Sequence, residues 1–544
     1  MSQAISGVIV GDGNIFTSPT TKLDEALSAT SINAVQNKAI TNELNKKQNT
    51  LTFDITPKNG STNPVTSGGI KTAMDALSEK IVSPVITVTT LTGSTVTATK
   101  GTTTLKGAEN GTTGKFTIEI PSLGEWTITA SKTGSQAFTR SATVNVSEIK
   151  QYEIKVPHGT RYGYRIKKTE SDPYGRVEYL YDAVGLTPAK MDFTKGTFNY
   201  GSWGDKWFIT KNKPCMIRSN GTIDYYLNPN NYALKENGTP SDVANTSYDG
   251  NAMASIPLCW VYRYEDDTYQ YEIISDVKYD DNYKAYAHTK ADGSIADYFY
   301  WGIYGGSNGS ATTKMRSLSG KTLSSNLTAE QEINSCKMNG SKWFTHTWSQ
   351  KELLRTLLIL MGKSTNTQAV FGIGNCREGT SSGSVLKSGT LDTKGQFYGT
   401  NANSSSQVKA FHIEKIWGDQ WDRLAGLIYN NGNIYVKMTP EGTNGYRVND
   451  VSGYTNTGIQ ITGSSGGYIN GSVCSEFGAI PNKVSGSDKT YEADVCWFDN
   501  NKLNYALAGA SAGDASGGGG VFSLAFNHAP SWTAWIYGSA LSLI

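Results

Sequence analysis

Apolar and polar residues alternate with a period of two through much of residues 83–157. Period-two runs that end at glycine-containing turns are typical of half-buried strands, and several of them in succession predict a β-sandwich. The alternating runs are Pro84–Thr89, Ser94–Thr99, Gly114–Ile120, Glu125–Ala130 and Ala142–Val146.

One of these strands, Gly124-Glu125-Trp126-Thr127-Ile128-Thr129-Ala130, resembles a strand of immunoglobulin-like spacer domains. The resemblance implies an immunoglobulin-like β-sandwich over 83–157 that serves as a spacer.

Residues 21–82 follow a different pattern, an internal repeat. Ser31-Ile32-Asn33-Ala34-Val35 followed by Ile40 returns as Ser61-Thr62-Asn63-Pro64-Val65 followed by Ile70, so the period is 30 residues. Each copy is predicted to open a short helix. Asn33 and Gln36 form a capping box for the first helix, and Ser67 caps the second.

The second helix carries an apolar stripe made of Ile70, Met74, Leu77 and Ile81. A helix this short is marginal by itself, because its few backbone hydrogen bonds do not offset the cost of nucleation. Packing of the stripe against copies of the same helix around an axis would bury it and produce a helical stalk. The alternative is that the helices fold back onto the next domain.

Residues 158–544 show no comparable change of pattern, and they hold all six cysteines. We interpret them as one large α+β domain with long loops. Its clearest helix is Ser349–Met361, capped by Ser349 or Thr347. The apolar run inside it, 353–361, is far shorter than the ~20 residues of a membrane span and predicts a buried helix.

Charge, the first residues and cysteine spacing argue against a nucleic-acid partner, a signal peptide and a zinc ribbon. Lys and Arg number 49 against 47 Asp and Glu, so no basic excess favours nucleic acid. The first residues lack a basic segment followed by an apolar one, which argues against a signal peptide. No two cysteines have the C-x-x-C spacing of zinc ribbons, so we expect buried thiols, in keeping with synthesis in a reducing cytoplasm.

Catalytic motifs are only partial. Gly362-Lys363-Ser364-Thr365 ends like a P-loop but follows a helix and has Leu357 where a glycine is required. Gly379–Gly383 and Gly509–Gly513 fit G-x-S-x-G without the strand and helix of a nucleophile elbow. The pairs Asp266-Asp267 and Asp280-Asp281 are interpreted as solvated turns. We therefore expect no enzyme activity and no cofactor.

Three stretches of the repeat region resemble the repeats of phage tail fibres and tail tip proteins: Ser31–Ile40, Gln48–Asp54 and Ser61–Ile70. The resemblance implies a homotrimeric, virion-attached stalk. Residues 1–20 would then be the attachment segment that contacts other tail or baseplate proteins. The implied location is a distal tail tip or tail fibre, assembled in the host cytoplasm.

The C-terminal domain contains Ile416-Trp417-Gly418-Asp419-Gln420-Trp421-Asp422, and its two tryptophans would pack the domain centre. This element is similar to one in the C-type-lectin-like fold of sulfatase-modifying-factor-like proteins and of the variable proteins of diversity-generating retroelements. The calcium-sugar motifs of animal lectins and the cysteine pair of formylglycine-generating enzymes are missing. Calcium-dependent sugar binding and the oxidase activity are therefore not carried over.

The last forty residues resemble the terminal variable segment of those retroelement proteins. The resemblance implies that small and apolar anchors hold a scaffold: Gly509, Gly520, Phe522, Leu524, Ala529, Pro530, Ser531, Gly538 and Leu541. The residues between them would face a ligand: Asp514, Phe526, Asn527, His528, Trp532, Ala534, Ile536 and Tyr537. Among the aromatic residues we expect Trp532 and Tyr537 to be exposed and Trp535 to be buried.

The function that follows is adsorption of a phage tail to a glycan or protein receptor on the host bacterial surface, without membrane insertion. Aromatic side chains beside polar ones suit such recognition, since rigid rings provide contact area at a low entropic cost. Three linked copies would strengthen weak single sites. The alternatives are a tail depolymerase that cleaves a surface glycan, and a purely structural baseplate component.

Overall fold

The computed structural model describes residues 23–24, 34–35, 37–50, 52–78, 84–132, 138–144, 151–155, 159–402, 406–440, 445–500, 502–515 and 517–544. The expected attachment segment, 1–20, lies outside these residues. So do the expected cap residues Asn33 and Gln36, residue Ile81, and the side chain of Leu77. The described chain is rich in strands, which form several sheets, and has few helices.

The 30-residue repeat has a structural counterpart. Leu23–Asp24 pairs in parallel with Ala34–Val35, and 30 residues later Asp54 forms a parallel bridge with Val65. A helix follows each pairing, Asn37–Thr50 after the first and Ser67–Ser78 after the second. The cap of the second helix differs from the prediction, because the Thr66 hydroxyl accepts the Gly69 N–H at 2.9 Å. Thr66 therefore takes the capping role expected of Ser67.

Large apolar side chains are exposed along this repeat region. They are Ile40, Leu44, Phe53, Ile55, Ile70 and Met74. The stripe predicted on the second helix is thus uncovered at its two described side chains, Ile70 and Met74.

Residues 84–155 form two four-stranded sheets, and the strands follow the predicted alternation. Lys115–Glu119 buries Phe116 and Ile118 and exposes the residues between them, and Trp126 is buried in Gly124–Ser131. One sheet has the order Phe138–Val144, Gly124–Ser131, Thr95–Lys100 and Thr103–Lys106. The other has the order Gln151–Lys155, Val85–Thr89, Lys115–Glu119 and Ala108–Glu109.

The described part of residues 159–544 contains five sheets. The ten-stranded sheet has the order Thr455–Asn456, Asn433–Val436, Trp421–Asn430, Leu503–Ala508, Leu524–Phe526, Val495–Phe498, Gly466–Ser475, Gly478–Val484 and Thr462–Gly463, with Tyr537–Gly538 also pairing with Trp421–Asn430. The seven-stranded sheet has the order Asn231–Lys235, Ile223–Asn228, Lys213–Arg218, Gly250–Pro257, Tyr298–Gly302, Leu541–Leu543 and Trp343–Thr345.

Three smaller sheets and four helices complete this region. The smaller sheets are Val177–Tyr181, Arg161–Lys167, Tyr269–Ser275 and Trp260–Glu265; Lys190–Asp192 with Thr197–Asn199; and Tyr398–Gly399, Val408–Ala410 and Ile413–Glu414. The helices are Trp207–Thr210, Ala329–Lys337, Trp348–Gly362 and Thr367–Phe371, with 3₁₀ turns at Tyr286–His288 and Ser382–Ser384.

The helix Trp348–Gly362, called here the central helix, confirms the predicted one to within a residue at each end. Thr347 is its cap: the Thr347 side chain accepts the Gln350 N–H, and the Gln350 side chain accepts the Thr347 N–H. All of its residues are buried. The helix ends at Gly362, and the next residue, Lys363, is its C-cap and adopts a left-handed backbone conformation with φ of 51°.

The central helix also brings charge into the core. The Arg355 guanidinium contacts Glu272 at 2.7 Å and Glu352 at 2.8 Å, and Arg263 contacts Glu272 at 2.8 Å. Burial would raise the pKa of Glu272, but Arg355 and Arg263 outweigh it and lower that pKa to about 2. Two arginines and two glutamates thus satisfy one another away from water, as a buried charge requires. We call Arg263, Glu272, Glu352 and Arg355 the core ion network.

The remaining expectations about the core are met. Trp417 and Trp421 are both buried, and the indole N–H of Trp417 donates to the Gly372 and Ile373 carbonyls. All six cysteines are buried, and none of them forms a disulfide. Their side chains therefore act as small apolar core groups.

Candidate functional site

Residues 527–536 form a connection that starts and ends on the ten-stranded sheet. The strand before it, Leu524–Phe526, pairs with Val495–Phe498 and Leu503–Ala508. The strand after it, Tyr537–Gly538, pairs in parallel with Trp421–Asn430. We call residues 527–536 the terminal loop.

Backbone hydrogen bonds from distant parts of the chain hold the terminal loop in place. Four backbone N–H groups donate to carbonyl oxygens of the loop: Tyr505 N–H to His528 O at 3.1 Å, Ala329 N–H to Pro530 O at 2.9 Å, Asn326 N–H to Ala534 O at 3.1 Å, and Trp421 N–H to Ile536 O at 2.7 Å. Because these bonds use main-chain atoms, they fix the path of the loop without depending on most of its side chains.

A buried arginine supports the middle of the loop. Arg423 donates to the Trp532 carbonyl, its guanidinium contacts Glu332 at 2.6 Å, and it lies 5.4 Å from the centre of the Tyr537 ring. Burial raises the pKa of Glu332 to about 7, although Arg423 acts in the opposite direction. Glu332 lies on the helix Ala329–Lys337, whose N-terminal capping box is formed by Thr328 and Gln331. The support is therefore built from a capped helix and a strand of the sheet.

The loop presents its tip to solvent. Ser531, Trp532 and Thr533 are exposed, and Trp532 keeps 54% of its surface accessible. The His528 ring stacks on Trp532 with the centroids 5.1 Å apart. Burial, and secondarily Arg423, lower the pKa of His528. A neutral imidazole beside an exposed indole offers both stacking area and hydrogen-bonding atoms.

Two of the residues predicted to face a ligand do not. Phe526 is fully buried and Tyr537 is 3% exposed, so the exposure expected of both is wrong. Phe526 lies in the sheet and its ring packs 5.5 Å from that of Tyr429. Tyr537 lies in a cluster with Trp421, Leu507 and Ala525. Trp535, expected to be buried, is half-buried.

Five more of the residues predicted to face a ligand are half-buried. Asn527 and His528 belong to the loop, and Ala534 and Ile536 pack partly against the cluster beneath it. Asp514 lies in a separate turn, where its carboxylate accepts the backbone N–H and the hydroxyl of Ser511 at 2.7 and 2.6 Å. Burial raises the pKa of Asp514. Of the eight predicted residues, only Trp532 has an exposed side chain.

Most predicted anchors are buried: Gly509, Gly520, Phe522, Leu524, Pro530, Gly538 and Leu541. Ala529 is half-buried, and Ser531 is exposed, which disagrees with the anchoring expected of Ser531. Both residues lie in the turn that leads to Trp532, since the Trp532 N–H bonds to the Ala529 carbonyl at 2.9 Å.

The sequence reasoning missed Trp497. It is 40% exposed and lies on a strand whose other residues are buried, opposite Ala525 in the register. Paired residues in adjacent strands project from the same face, so Trp497 shares a face with Ala525 of the cluster beneath the terminal loop. The four-residue strand carries no alternation from which this exposure could have been predicted.

The partial catalytic motifs have structural roles. Lys363 follows the central helix as its C-cap, and Ser511 bonds to Asp514. Asp266 accepts the N–H groups of Thr268 and Tyr269 in a turn, as the interpretation of solvated turns requires. Within the described ranges there is no group of three or more His, Cys, Asp or Glu side chains that could hold a metal ion. The described helices include none that is long and apolar enough to cross a membrane.

Comparison of the chain with protein-family models and with curated proteins found no match.

Proposed function

We propose that this chain is a receptor-binding protein of a phage tail, in which the terminal loop of a C-type-lectin-like domain contacts the surface of the host bacterium. The observation that carries the proposal is the terminal loop itself. Its main chain is held by backbone hydrogen bonds from distant residues and by the buried Arg423, while Trp532 projects into solvent. A rigid support beneath an exposed aromatic ring is the arrangement expected of a binding hot spot.

The repeat region supports a further part of the proposal, which is that copies of the chain assemble through a stalk and so present several binding sites. Six large apolar side chains of residues 37–78 are exposed in the single chain, among them Ile70 and Met74 on one helix. Exposed apolar side chains on one helix face, such as Ile70 and Met74, offer a surface for interaction with another chain. Copies of the same helix in a trimer would cover this surface, as proposed for a tail-fibre stalk.

Trimerisation would also determine how tightly the tip binds. Linked sites on one stalk engage neighbouring receptors at a high effective concentration, and avidity then exceeds the affinity of one site by about 10²–10⁴. A single exposed tryptophan per copy is enough under those conditions.

Substitution of Trp532 by Ala tests the proposal. We expect adsorption of the purified chain to host cells to fall at least about tenfold, because a hot-spot residue contributes more than about 1.4 kcal/mol. The matched control is Tyr174→Ala, which removes another exposed ring, 50% accessible, outside the terminal loop. Cell-binding assays on both variants, with thermal unfolding to verify folding, give the comparison. Equal adsorption of the two variants would refute the assignment of the loop.

The same preparation distinguishes the enzymatic alternative. Incubation with host surface polysaccharide should leave its chain length unchanged when followed by size-exclusion chromatography. Progressive shortening of the polysaccharide would replace the receptor-binding proposal with a depolymerase.

A further inference from the structure

A cavity of about 470 Å³ opens beside the first turn of the central helix. It is bounded by the edge strand Trp343–Thr345 of the seven-stranded sheet, by the 3₁₀ turn Tyr286–His288, and by Tyr446. None of residues 527–537 lines it, so it is distinct from the terminal loop. Its volume falls within the roughly 300–1,000 Å³ of small-molecule sites.

The wall of the cavity is aromatic. Phe344 and Tyr446 have ring centroids 5.6 Å apart, and Trp343 and Tyr286 also line the space. Phe344 is only half-buried. A half-buried aromatic ring at a cavity wall offers apolar surface to the C–H face of a sugar or to another flat, partly apolar ligand.

The rim of the cavity is cationic. Lys290, Lys337 and Lys342 line it, and Asp292 is the one acidic side chain among the described lining residues. The Lys337 ammonium lies 5.2 Å from the centre of the Phe344 ring, which places a positive charge next to the aromatic wall. Ile544 also lines the cavity, and the backbone carboxylate that it carries in this structure is a second anion. Three cations against two anions leave a positive balance, which favours a negatively charged ligand.

Gln350 supplies a polar group at the floor. It is 3% exposed, and its Oε1 accepts the Thr347 N–H at 3.1 Å and the Ser542 hydroxyl at 2.9 Å. In the described part of the chain, no residue accepts a hydrogen bond from its Nε2. A nearly buried amide N–H₂ without a protein acceptor, at the wall of a cavity, is a donor available to a ligand.

We propose that this cavity binds an acidic saccharide, with its carboxylate on the lysines, a ring hydroxyl on Gln350 Nε2, and its C–H face on Phe344. The proposal rests on the proposed function, since it names a glycan class on the host surface that the domain would recognise. The cavity would be a second binding site, separate from the terminal loop. Charge-assisted hydrogen bonds from the lysines to the carboxylate would supply affinity. Contacts with the Gln350 amide and the Phe344 ring would supply selectivity for a sugar.

The test is calorimetric titration of the full chain with an oligogalacturonate and with the same oligomer methyl-esterified on its carboxylates. We expect the acidic oligomer to bind and the neutral ester to bind at least about tenfold more weakly. Lys290→Met with Lys342→Met should weaken binding of the acidic oligomer at least about tenfold. Lys190→Met, at an exposed lysine on a separate hairpin, should leave it unchanged. Higher salt should weaken binding, because it screens the lysines.

Gln350→Leu distinguishes a saccharide site from a generic anion site. We expect it to weaken oligogalacturonate binding and to leave weak competition by inorganic phosphate unaltered. Equal binding of acid and ester, equal affinity of the lysine variants, or phosphate that competes as strongly as the sugar would each overturn the proposal. Failure here leaves adsorption through Trp532 intact. Loss of the proposed function would instead appear as Trp532→Ala adsorbing normally.

Discussion

The repeat region and the C-terminal region place apolar and charged groups in opposite ways. Residues 37–78 expose Ile70 and Met74 on a short helix. The described part of residues 159–544 buries a large apolar core together with the four charged side chains of the core ion network. The first region holds too little chain to cover its apolar surface, whereas the second surrounds even ion pairs with core.

This difference assigns different tasks to the two regions. In the proposed stalk, a helix that leaves its apolar stripe uncovered would depend on other chains for stability, so its fold would be coupled to assembly. A region with a large core of its own can hold one short loop rigidly and can tolerate an exposed tryptophan. Stability of the tip and valency of the stalk should therefore respond to different substitutions.

The largest effect should come from Arg355→Met. It leaves Glu272 and Glu352 buried without their shared partner, and breaking a buried ion pair costs about 3–5 kcal/mol. Denaturant unfolding of the C-terminal region measures the loss. Arg447→Met removes an exposed ion pair with Asp450 and should cost less than about 1 kcal/mol. Similar losses in both variants would mean that the core ion network adds nothing beyond a surface pair.

An intermediate effect should come from Met74→Lys. Met74 is 65% exposed in the single chain, so the substitution should change assembly and not the fold of the C-terminal region. Burial of such a side chain between copies is worth about 1.5–3 kcal/mol per chain. Sedimentation velocity should show a shift from trimer to monomer. Thr72→Lys places the same charge on the other side of the helix and should remain trimeric; dissociation of both variants would contradict the stripe.

The smallest effect, taken per pH unit, should be the pH dependence that Glu332 gives to the stability of the C-terminal region. Its pKa rises from an ordinary 4.5 to about 7 on folding, so the folded chain keeps a proton that the unfolded chain releases. The free energy of unfolding should therefore fall as pH rises from about 4.5 to 7, by at most about 1.4 kcal/mol per pH unit from this group. Denaturation series across this range should show a shallower slope for Glu332→Gln. Glu330→Gln, an exposed neighbour on the same helix, should keep the original slope.

Local pattern was sufficient for several elements. The strands of residues 84–144 and the central helix could be predicted because their periodicity reports which face meets a core, and the Thr347 cap is a local interaction. The repeat was visible because the same sequence pattern returns after 30 residues, as does the pairing of Asp54 with Val65 after that of Asp24 with Val35.

The terminal loop was predicted only in part for a physical reason. Trp532 and Tyr537 are similar aromatic residues five positions apart, and no periodicity exists in an irregular connection to separate them. The positions of the two side chains depend on Arg423, which lies 109 positions before Trp532, and on the contact of Arg423 with Glu332, a further 91 positions back.

The sequence by itself thus determined the repeat, the alternating strands, the central helix and the aromatic richness of the chain's last residues, because each depends on neighbours within a few positions. Only the tertiary structure decided that Tyr537 supports the loop while Trp532 projects from it, and that three lysines meet an aromatic wall. Burial is a property of the packed chain, and those contacts join residues that the sequence keeps far apart.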